Sequence, residues 1–349
     1  MRIHKLKTVG FVAVSIWTLL TLSLTMAFGQ VISLQFENDF FGGDSDKHFS
    51  HGTRMEWLSS PIGWITDEVD QIQWLGFQKK TPDSADALET RVSLSMGQNI
   101  YTPEDTTAVQ WVPHDRPYAG WLYLGFGLEA NQGSKRCDKF GLEIGMIGPD
   151  SFAEDTQRFW HSLFGLDVPK GWNNQLNNEP GLVLFYEQIR RYEVQDLFRG
   201  LNFDLLPNAG GSLGNVFTYA EAGLVLRLGS DLSHDFGPLR IRPGLPGSSY
   251  FRPKKGFLWY VFAGFQGRAV LRNIFLDGNT FQDSHSVEKN FFMGDRRPGL
   301  WFSGILFVSP IHRYCAVRSS KIKTFPISSV PSASPTILTK TTCPLPSTF

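Results

Sequence analysis

A group of oxygen-bearing side chains stands at the junction of the first two predicted strands. Asn38 and Asp39 directly follow the first strand, and Ser50 and His51 open the second. Pairing of these strands would bring the four residues to one rim of a sheet. A carboxylate, an amide carbonyl, a hydroxyl and nearby backbone oxygens are hard ligands that suit Ca²⁺. The alternative is a simple turn, because Asn-Asp is common at strand ends and Gly42 follows closely.

A second set of candidates lies between residues 150 and 165, where the spacing of apolar residues becomes helical. Gln157 and His161 are four residues apart and would share one face of this short helix. A histidine there can act as general base on water, and Asp167, six residues on, could orient or charge-tune the ring. A solvated loop histidine is the alternative. We expect a cap from Pro149-Asp150-Ser151 and an end at Gly165.

Two further residues are candidates for contact with a substrate. Ser50 lacks the Gly-x-Ser-x-Gly surroundings of a nucleophile elbow, so a metal-ligand or oxyanion contact is favoured over nucleophilic attack. Arg116 stands beside aromatic residues in the sequence DRPYAGW, where a guanidinium fits an anionic lipid head group. A surface arginine on an interfacial strand is an equal alternative. The pair His48 and His51 has no thiol partners and does not form a zinc pattern.

The elements that must position these residues are strands. Apolar and polar residues alternate, so that one face suits lipid and the other a polar lumen, and aromatic residues recur near strand ends. Long polar loops favour a membrane barrel over a soluble β-sandwich. The predicted strands cover Val31–Phe36, Phe49–Leu58, Arg91–Met96, Ala119–Ala130, Lys139–Ile147, Gly181–Arg191, Leu201–Leu206, Val216–Leu228, Gly256–Leu271 and Gly299–Ser309.

Residues 1–29 have the features of a secretory signal peptide, with a basic start, an apolar stretch and small residues before Gln30. An uncleaved anchor is the alternative, but the stretch is shorter than the ~20 residues of a comfortable span. No later apolar run is long enough for a membrane helix. We therefore predict an all-β protein, an antiparallel transmembrane β-barrel over residues 30–310 with a short helix in one loop.

Charge and cysteine content narrow the choice of partners. The formal net charge is +0 and basic residues form no long run, so a nucleic-acid partner has no electrostatic support. The three cysteines, at positions 137, 315 and 343, do not form a disulfide framework. The expected partners are lipids.

Several motifs follow one another along the chain between about residues 31 and 310: END at 37, DKHFSHG at 46, QNIYTP at 98, DRPYAGW at 115, GPD at 148, then Gln157, His161, Asp167 and Trp172. Together they resemble the lipid A 3'-O-deacylase family of Gram-negative outer membranes. The resemblance implies a twelve-stranded barrel that uses Ca²⁺ to hydrolyse the ester of the 3'-linked acyloxyacyl chain of lipid A, within lipopolysaccharide.

The resemblance also implies roles for individual residues. Asn38, Asp39, Ser50 and His161 match the family's essential residues, and Asp167 stands where the family has an acidic residue close to the histidine. By analogy His161 would deprotonate water. Ca²⁺ held near Asp39 and Ser50 would stabilise the oxyanion while Asn38 positions the reacting group.

The chain departs from the family pattern in two places. The family's basic pair is missing between residues 104 and 114, so Arg116, or Lys79-Lys80, would contact the head group instead, with Gln157 as a further substrate contact. After Pro310 the two expected closing strands are replaced by a tail, residues 311–349, that becomes Ser/Thr/Pro-rich from Pro326 onward. We interpret the tail as a frame-shifted sequence or a disordered extension.

Two other functions stay open at this point. The same scaffold could hydrolyse another membrane lipid ester, such as a phospholipid, because nothing in the motifs reports the acyl position. A non-catalytic barrel, either a passive pore or a structural protein, is the third possibility.

Overall fold

The computed structural model describes residues 31–38, 51–72, 86–198, 200–237, 258–303 and 305–308, and the short ranges 313–316, 319–322 and 325–326. The predicted signal peptide, Asp39 and Ser50 lie outside these residues. So do Lys79 and Lys80.

The fold is dominated by one antiparallel sheet. Its strands are β1 (Val31–Asn38), β2 (His51–Leu58), β3 (Leu88–Tyr101), β4 (Ala119–Gln132), β5 (Arg136–Ile147), β6 (Glu179–Arg190), β7 (Tyr192–Phe198), β8 (Leu201–Gly214), β9 (Phe217–Gly229), β10 (Leu258–Asn273), β11 (Phe292–Ser303), β14 (Ser319–Ile322) and β15 (Phe325–Pro326). The order is β1-β2-β3-β4-β5-β6-β8-β9-β10-β11-β14, while β7 pairs with β8 and β15 with β11. Two short strands, β12 (Ile305–Val308) and β13 (Arg313–Ala316), pair separately.

The structure has a strand at each predicted position as far as the residues are described, and several strands are longer than expected. The predicted strand Gly299–Ser309 is divided between the end of β11 and β12, which pairs in the separate sheet. β8 runs on to Gly214 through a Gly-rich stretch in which the alternation of side chains is lost. β11 begins at Phe292, seven residues before the predicted start at Gly299. The short strand β7 was not predicted. Within the predicted tail the structure describes only β13, β14 and β15.

The helices are α1 (Gly63–Gln71), α2 (Ala153–Phe164) and α3 (Ile274–Asp277), with 3₁₀ turns at Pro149–Ser151 and Trp172–Asn174. The predicted loop helix is α2, and it ends as expected at Gly165, whose φ is 68°. The predicted cap is wrong. Phe152 occupies the cap position in a left-handed conformation and no side chain caps the helix. In the described part of the chain, no helix is both long and apolar enough to cross a bilayer.

Side chains alternate between a polar interior and an apolar exterior. On β3, Arg91, Ser93 and Ser95 are buried, whereas Leu94 between them is 43 % exposed. Ion pairs fill the interior: Lys139 lies 3.1 Å from Glu129, and other pairs join Lys139 to Glu56 and Arg268 to Glu221. In the part of the barrel that the structure describes, paired charges pack the lumen as a polar core.

At the end of the barrel away from α2, the segment 231–237 folds inward. Arg227 is completely buried and forms a bidentate pair with Asp204, in which Nε lies 2.9 Å from the carboxylate. The same guanidinium contacts the Asp235 carboxylate and donates to the backbone oxygen of Leu232. Arg227 therefore holds the segment in place from within the lumen.

Candidate functional site

Helix α2 packs on the outer face of the wall at one rim. Ile100 is an even number of residues from Leu94 on β3, so both point to the outer face, yet Ile100 is fully buried. Ile100 belongs to one apolar cluster with Ala153 at the start of α2 and with Trp172 beyond it. The helix therefore covers the outside of the barrel and not its lumen.

A glycine on the neighbouring strand permits this close approach. Gly120 on β4 pairs with Ile100, and a Cβ atom at Gly120 would collide with the Ser151 hydroxyl and the Ala153 methyl group. The Gly120 backbone oxygen accepts a 3.2 Å hydrogen bond from the Gly148 N–H. Gln98, on the same outer face, donates a 2.6 Å hydrogen bond to the backbone oxygen of Ser151.

The first two strands meet the helix at the same rim. His51 at the start of β2 pairs with Ile100 on one side and with Asn38 on the other. The His51 ring lies 6.1 Å from the Trp160 ring of α2, and its Nε2 atom is 2.7 Å from the Thr53 hydroxyl. Asn38 is the last described residue of β1, and it lies level with His51 and Ile100 at the rim that α2 covers. Asp39 and Ser50, the next residues along the chain, lie outside the described residues.

His161 is oriented by the chain that follows its helix. Its Nδ1 atom lies 2.5 Å from the backbone oxygen of Asp167. A carbonyl oxygen only accepts, so Nδ1 carries the hydrogen and the neutral ring keeps its lone pair on Nε2. The left-handed Gly165 makes this return possible, with the Leu166 N–H donating to the His161 backbone oxygen at 2.9 Å. Asp167 contacts the histidine through its backbone, whereas the sequence suggested its carboxylate.

Gln157, predicted as a substrate contact, has its side chain buried beneath α2. As predicted, it lies one helical turn before His161, but its side chain is only 3 % exposed. Its amide oxygen accepts a 2.9 Å hydrogen bond from the Trp172 indole N–H, and Trp172 packs on Tyr118 with ring centroids 4.9 Å apart. Gln157 therefore fastens the loop after α2 to the helix.

Arg116 lies at a small pocket in the loops above the rim, whose other walls include Asp105, Trp111, Tyr118, Asn174 and His285. The His285 Nε2 atom donates to the backbone oxygen of Asp115 at 2.7 Å, and its ring packs edge-on to Trp111 at 4.9 Å. His285 comes from the loop between β10 and β11, and no sequence signal indicated it. Hydrogen bonds from the hydroxyl and backbone N–H of Thr107 lower the pKa of the Asp105 carboxyl.

The predicted calcium ligands, Asp39 and Ser50, lie outside the described residues, directly after β1 and directly before β2 along the chain. Among the described side chains, no group of three or more His, Cys, Asp or Glu residues is arranged to hold a metal ion.

Comparison with known proteins identifies the family. The family model described as "Outer membrane protein LpxR" matches residues 12–304. The chain belongs to the LpxR family of outer-membrane proteins. The solved structure of LpxR from Salmonella typhimurium aligns with a TM-score of 0.63 and 20 % identity, over 85 % of this chain and 93 % of that one. The predicted barrel fold, family and outer-membrane location are confirmed. No curated protein sequence matches significantly.

Proposed function

We propose that this LpxR-family chain hydrolyses lipid A in the outer membrane, at the ester of the 3'-linked acyloxyacyl chain. The observation that carries the proposal is the hydrogen bond from His161 Nδ1 to the Asp167 backbone oxygen. It leaves Nε2 as the basic atom of the neutral ring. Because α2 lies outside the barrel, this ring is on the lipid side of the rim rather than in the lumen.

His161 acts as the general base of this reaction. Nε2 takes a proton from water, and the water oxygen forms a bond to the ester carbonyl carbon. The bond between that carbon and the sugar 3'-oxygen then breaks, and the sugar oxygen takes the proton back from the imidazolium. Asn38 is the last described residue of β1 and pairs with His51 at the same rim. By analogy with the family it would position the reacting group.

Calcium fits the donor chemistry at this rim. Asp39 and Ser50 follow and precede the paired residues Asn38 and His51, and they offer a carboxylate and a hydroxyl, which are hard oxygen ligands. A bound Ca²⁺ would stabilise negative charge that develops on the ester carbonyl oxygen. Arg116 in the rim pocket supplies positive charge for an anionic head group.

Mass spectrometry of lipids from cells that express the chain tests the proposal. Lipid A should lose the mass of one acyloxyacyl group with the unaltered chain and keep it with His161→Ala. Arg158→Ala is the matched control, because Arg158 lies on the same helix with its side chain 54 % exposed and should leave the loss intact. A chelator should prevent the loss, and Ca²⁺ should restore it.

The same spectra decide between the alternatives. Intact lipid A together with new lysophospholipids would identify a phospholipid esterase and overturn the proposal. Unchanged lipids of both kinds, with the protein folded in the membrane, would indicate a non-catalytic barrel. A passive pore is disfavoured by the ion pairs that fill the described interior, such as that of Lys139 and Glu129.

A further inference from the structure

Three large apolar side chains of α2 are exposed. Phe159, Leu163 and Phe164 are 59 %, 60 % and 65 % exposed. Phe159 and Leu163 are four residues apart and form one stripe, and Phe164 stacks on Trp160 at the end of the helix. We call these three residues the apolar flank. A contiguous exposed apolar patch marks an interaction surface, whereas single exposed apolar residues do not.

The remaining exposed side of α2 is polar. Arg158 and Glu154 form an i,i+4 ion pair with 2.7 Å between their atoms, and Ser162 is exposed on the same side. Asp155, one turn before Phe159, lies at the boundary between the two sides. A helix with one apolar and one charged side is typical of elements that lie in the plane of a membrane interface. The charged side is suited to water, so the apolar flank is expected to face a less polar environment.

The position of α2 identifies that medium. The helix packs on the outer face at Gly120, and Leu124 lies four residues, or ~13 Å, further along β4 on the same face. Leu124 belongs to a band of exposed apolar residues on β3 to β6 that also includes Leu94, Phe126, Ile144, Leu182 and Leu184. In an outer-membrane protein such a band faces hydrocarbon.

We infer that the apolar flank of α2 lies among the acyl chains of the outer leaflet, so that α2 is an interfacial helix continuous with the lipid-facing band. The charged side, with Arg158 and Glu154, then faces the head groups and water. The membrane contact itself rests on the fold and the family. Its consequence rests on the proposed function: the contact fixes His161 at the depth where acyl esters lie.

Spin labelling of the full-length chain in bilayers tests the inference. One nitroxide is attached at Leu163→Cys and, in a separate sample, at Ser162→Cys, after the native cysteines are replaced by serine. Power saturation then compares access of oxygen, which concentrates in hydrocarbon, with access of a water-soluble nickel chelate. The ratio of oxygen to nickel access should be several-fold higher at Leu163 than at its neighbour Ser162. Equal, water-like ratios at both positions would overturn the inference.

Two further measurements keep the test decisive. If Leu163→Cys fails to fold, Phe159→Cys and Arg158→Cys provide an equivalent pair on the two sides of the helix. Double electron–electron resonance on the Leu163 label should show no defined distance between labels on different copies. A narrow distance distribution would instead assign the flank to self-association. His161→Ala should leave the ratios unchanged, so loss of hydrolysis and loss of membrane contact are separate results.

Discussion

The Trp172 indole N–H donates a 2.9 Å hydrogen bond to the amide oxygen of Gln157, in a fully packed site between α2 and the loop that follows it. Gln157→Leu would leave the buried indole donor without this acceptor, a loss of about 1–3 kcal/mol of local stability. We expect the variant to unfold at a lower temperature, measured as the temperature at which heating changes the gel mobility of the folded barrel. Gln157→Glu keeps an acceptor oxygen and should recover part of the loss. Equal loss in both variants would contradict this account.

His161→Asn should lower the rate of lipid A deacylation by about 10²–10⁴-fold, the usual contribution of a general base. The amide cannot take up the proton, but it can still donate to the Asp167 backbone oxygen. The folded fraction should therefore match that of the unaltered chain. A variant that keeps more than a tenth of the rate would remove His161 from the chemistry.

Asp167→Asn separates the carboxylate from the backbone contact. Because His161 donates to the Asp167 backbone oxygen, the amide variant keeps that hydrogen bond. We expect less than a tenfold change in rate, far from the effect of His161→Asn. A loss as large as that of His161→Asn would show that the carboxylate itself takes part.

Gly120→Val should detach α2 from the wall. The added side chain would collide with Ser151 and Ala153, and a displacement of about 1 Å at a catalytic group can cost about 10²-fold in rate. The matched control is Gly267→Val on β10, where a Cβ atom would meet only the Ala222 backbone oxygen at 3.8 Å. Both barrels should remain folded, while only the first variant should lose activity and become sensitive to protease near residue 165.

The segment 231–237 predicts a dependence of stability on pH. Burial lowers the pKa of His234, outweighing the opposing effect of Asp235 and Asp231, while Arg227 and Arg191 lower it further. His234 therefore takes up a proton less readily in the folded state than in the unfolded state, whose pKa is the usual 6.5. The contribution of His234 to stability is therefore fully present above pH 6.5 and is lost as the pH falls below 6.5.

Urea unfolding in bilayers at pH 8 and pH 5 measures this effect. The unaltered chain should be less stable at pH 5, and His234→Gln, which does not titrate, should lose part of the difference. Protonation of the paired carboxylates in the lumen also lowers stability at low pH, so His234→Gln should keep part of the pH dependence. An identical pH dependence in both chains would exclude His234 as a contributor.

The sequence predicted the strands and α2 because their patterns are local. Alternation marks a strand such as β4, and the change to helical spacing before Gly165 marks the helix. It did not predict the short strand β7, and it missed the extension of β8 to Gly214 because glycines carry no alternating side chain. The Phe152 cap was missed because a left-handed phenylalanine is held by its surroundings and has no local signal.

The site was predictable in its residue types but not in its contacts. Gln157 and His161 share a face, as their spacing required. Which of them meets solvent depends on Trp172, whose indole comes from another loop. The contact between His285 and Asp115 joins positions 170 residues apart, and only the closed arrangement of the loops brings them together. Such pairings are set by tertiary structure, to which a single sequence gives no direct access.

The ion pairs of the interior differ in the sequence separation of their two partners. Arg227 meets Asp204 on the adjacent strand, 23 residues away, so one hairpin is enough to neutralise both. Lys139 reaches Glu56 across 83 residues and needs the sheet to have curved first. During biogenesis the first pair can therefore form while the chain is still a partial sheet, and the second must wait until curvature is complete. Until then Lys139 has Glu129 on the adjacent strand β4 as its partner, and its contact with Glu56 is added only when the two sides of the curved sheet approach each other.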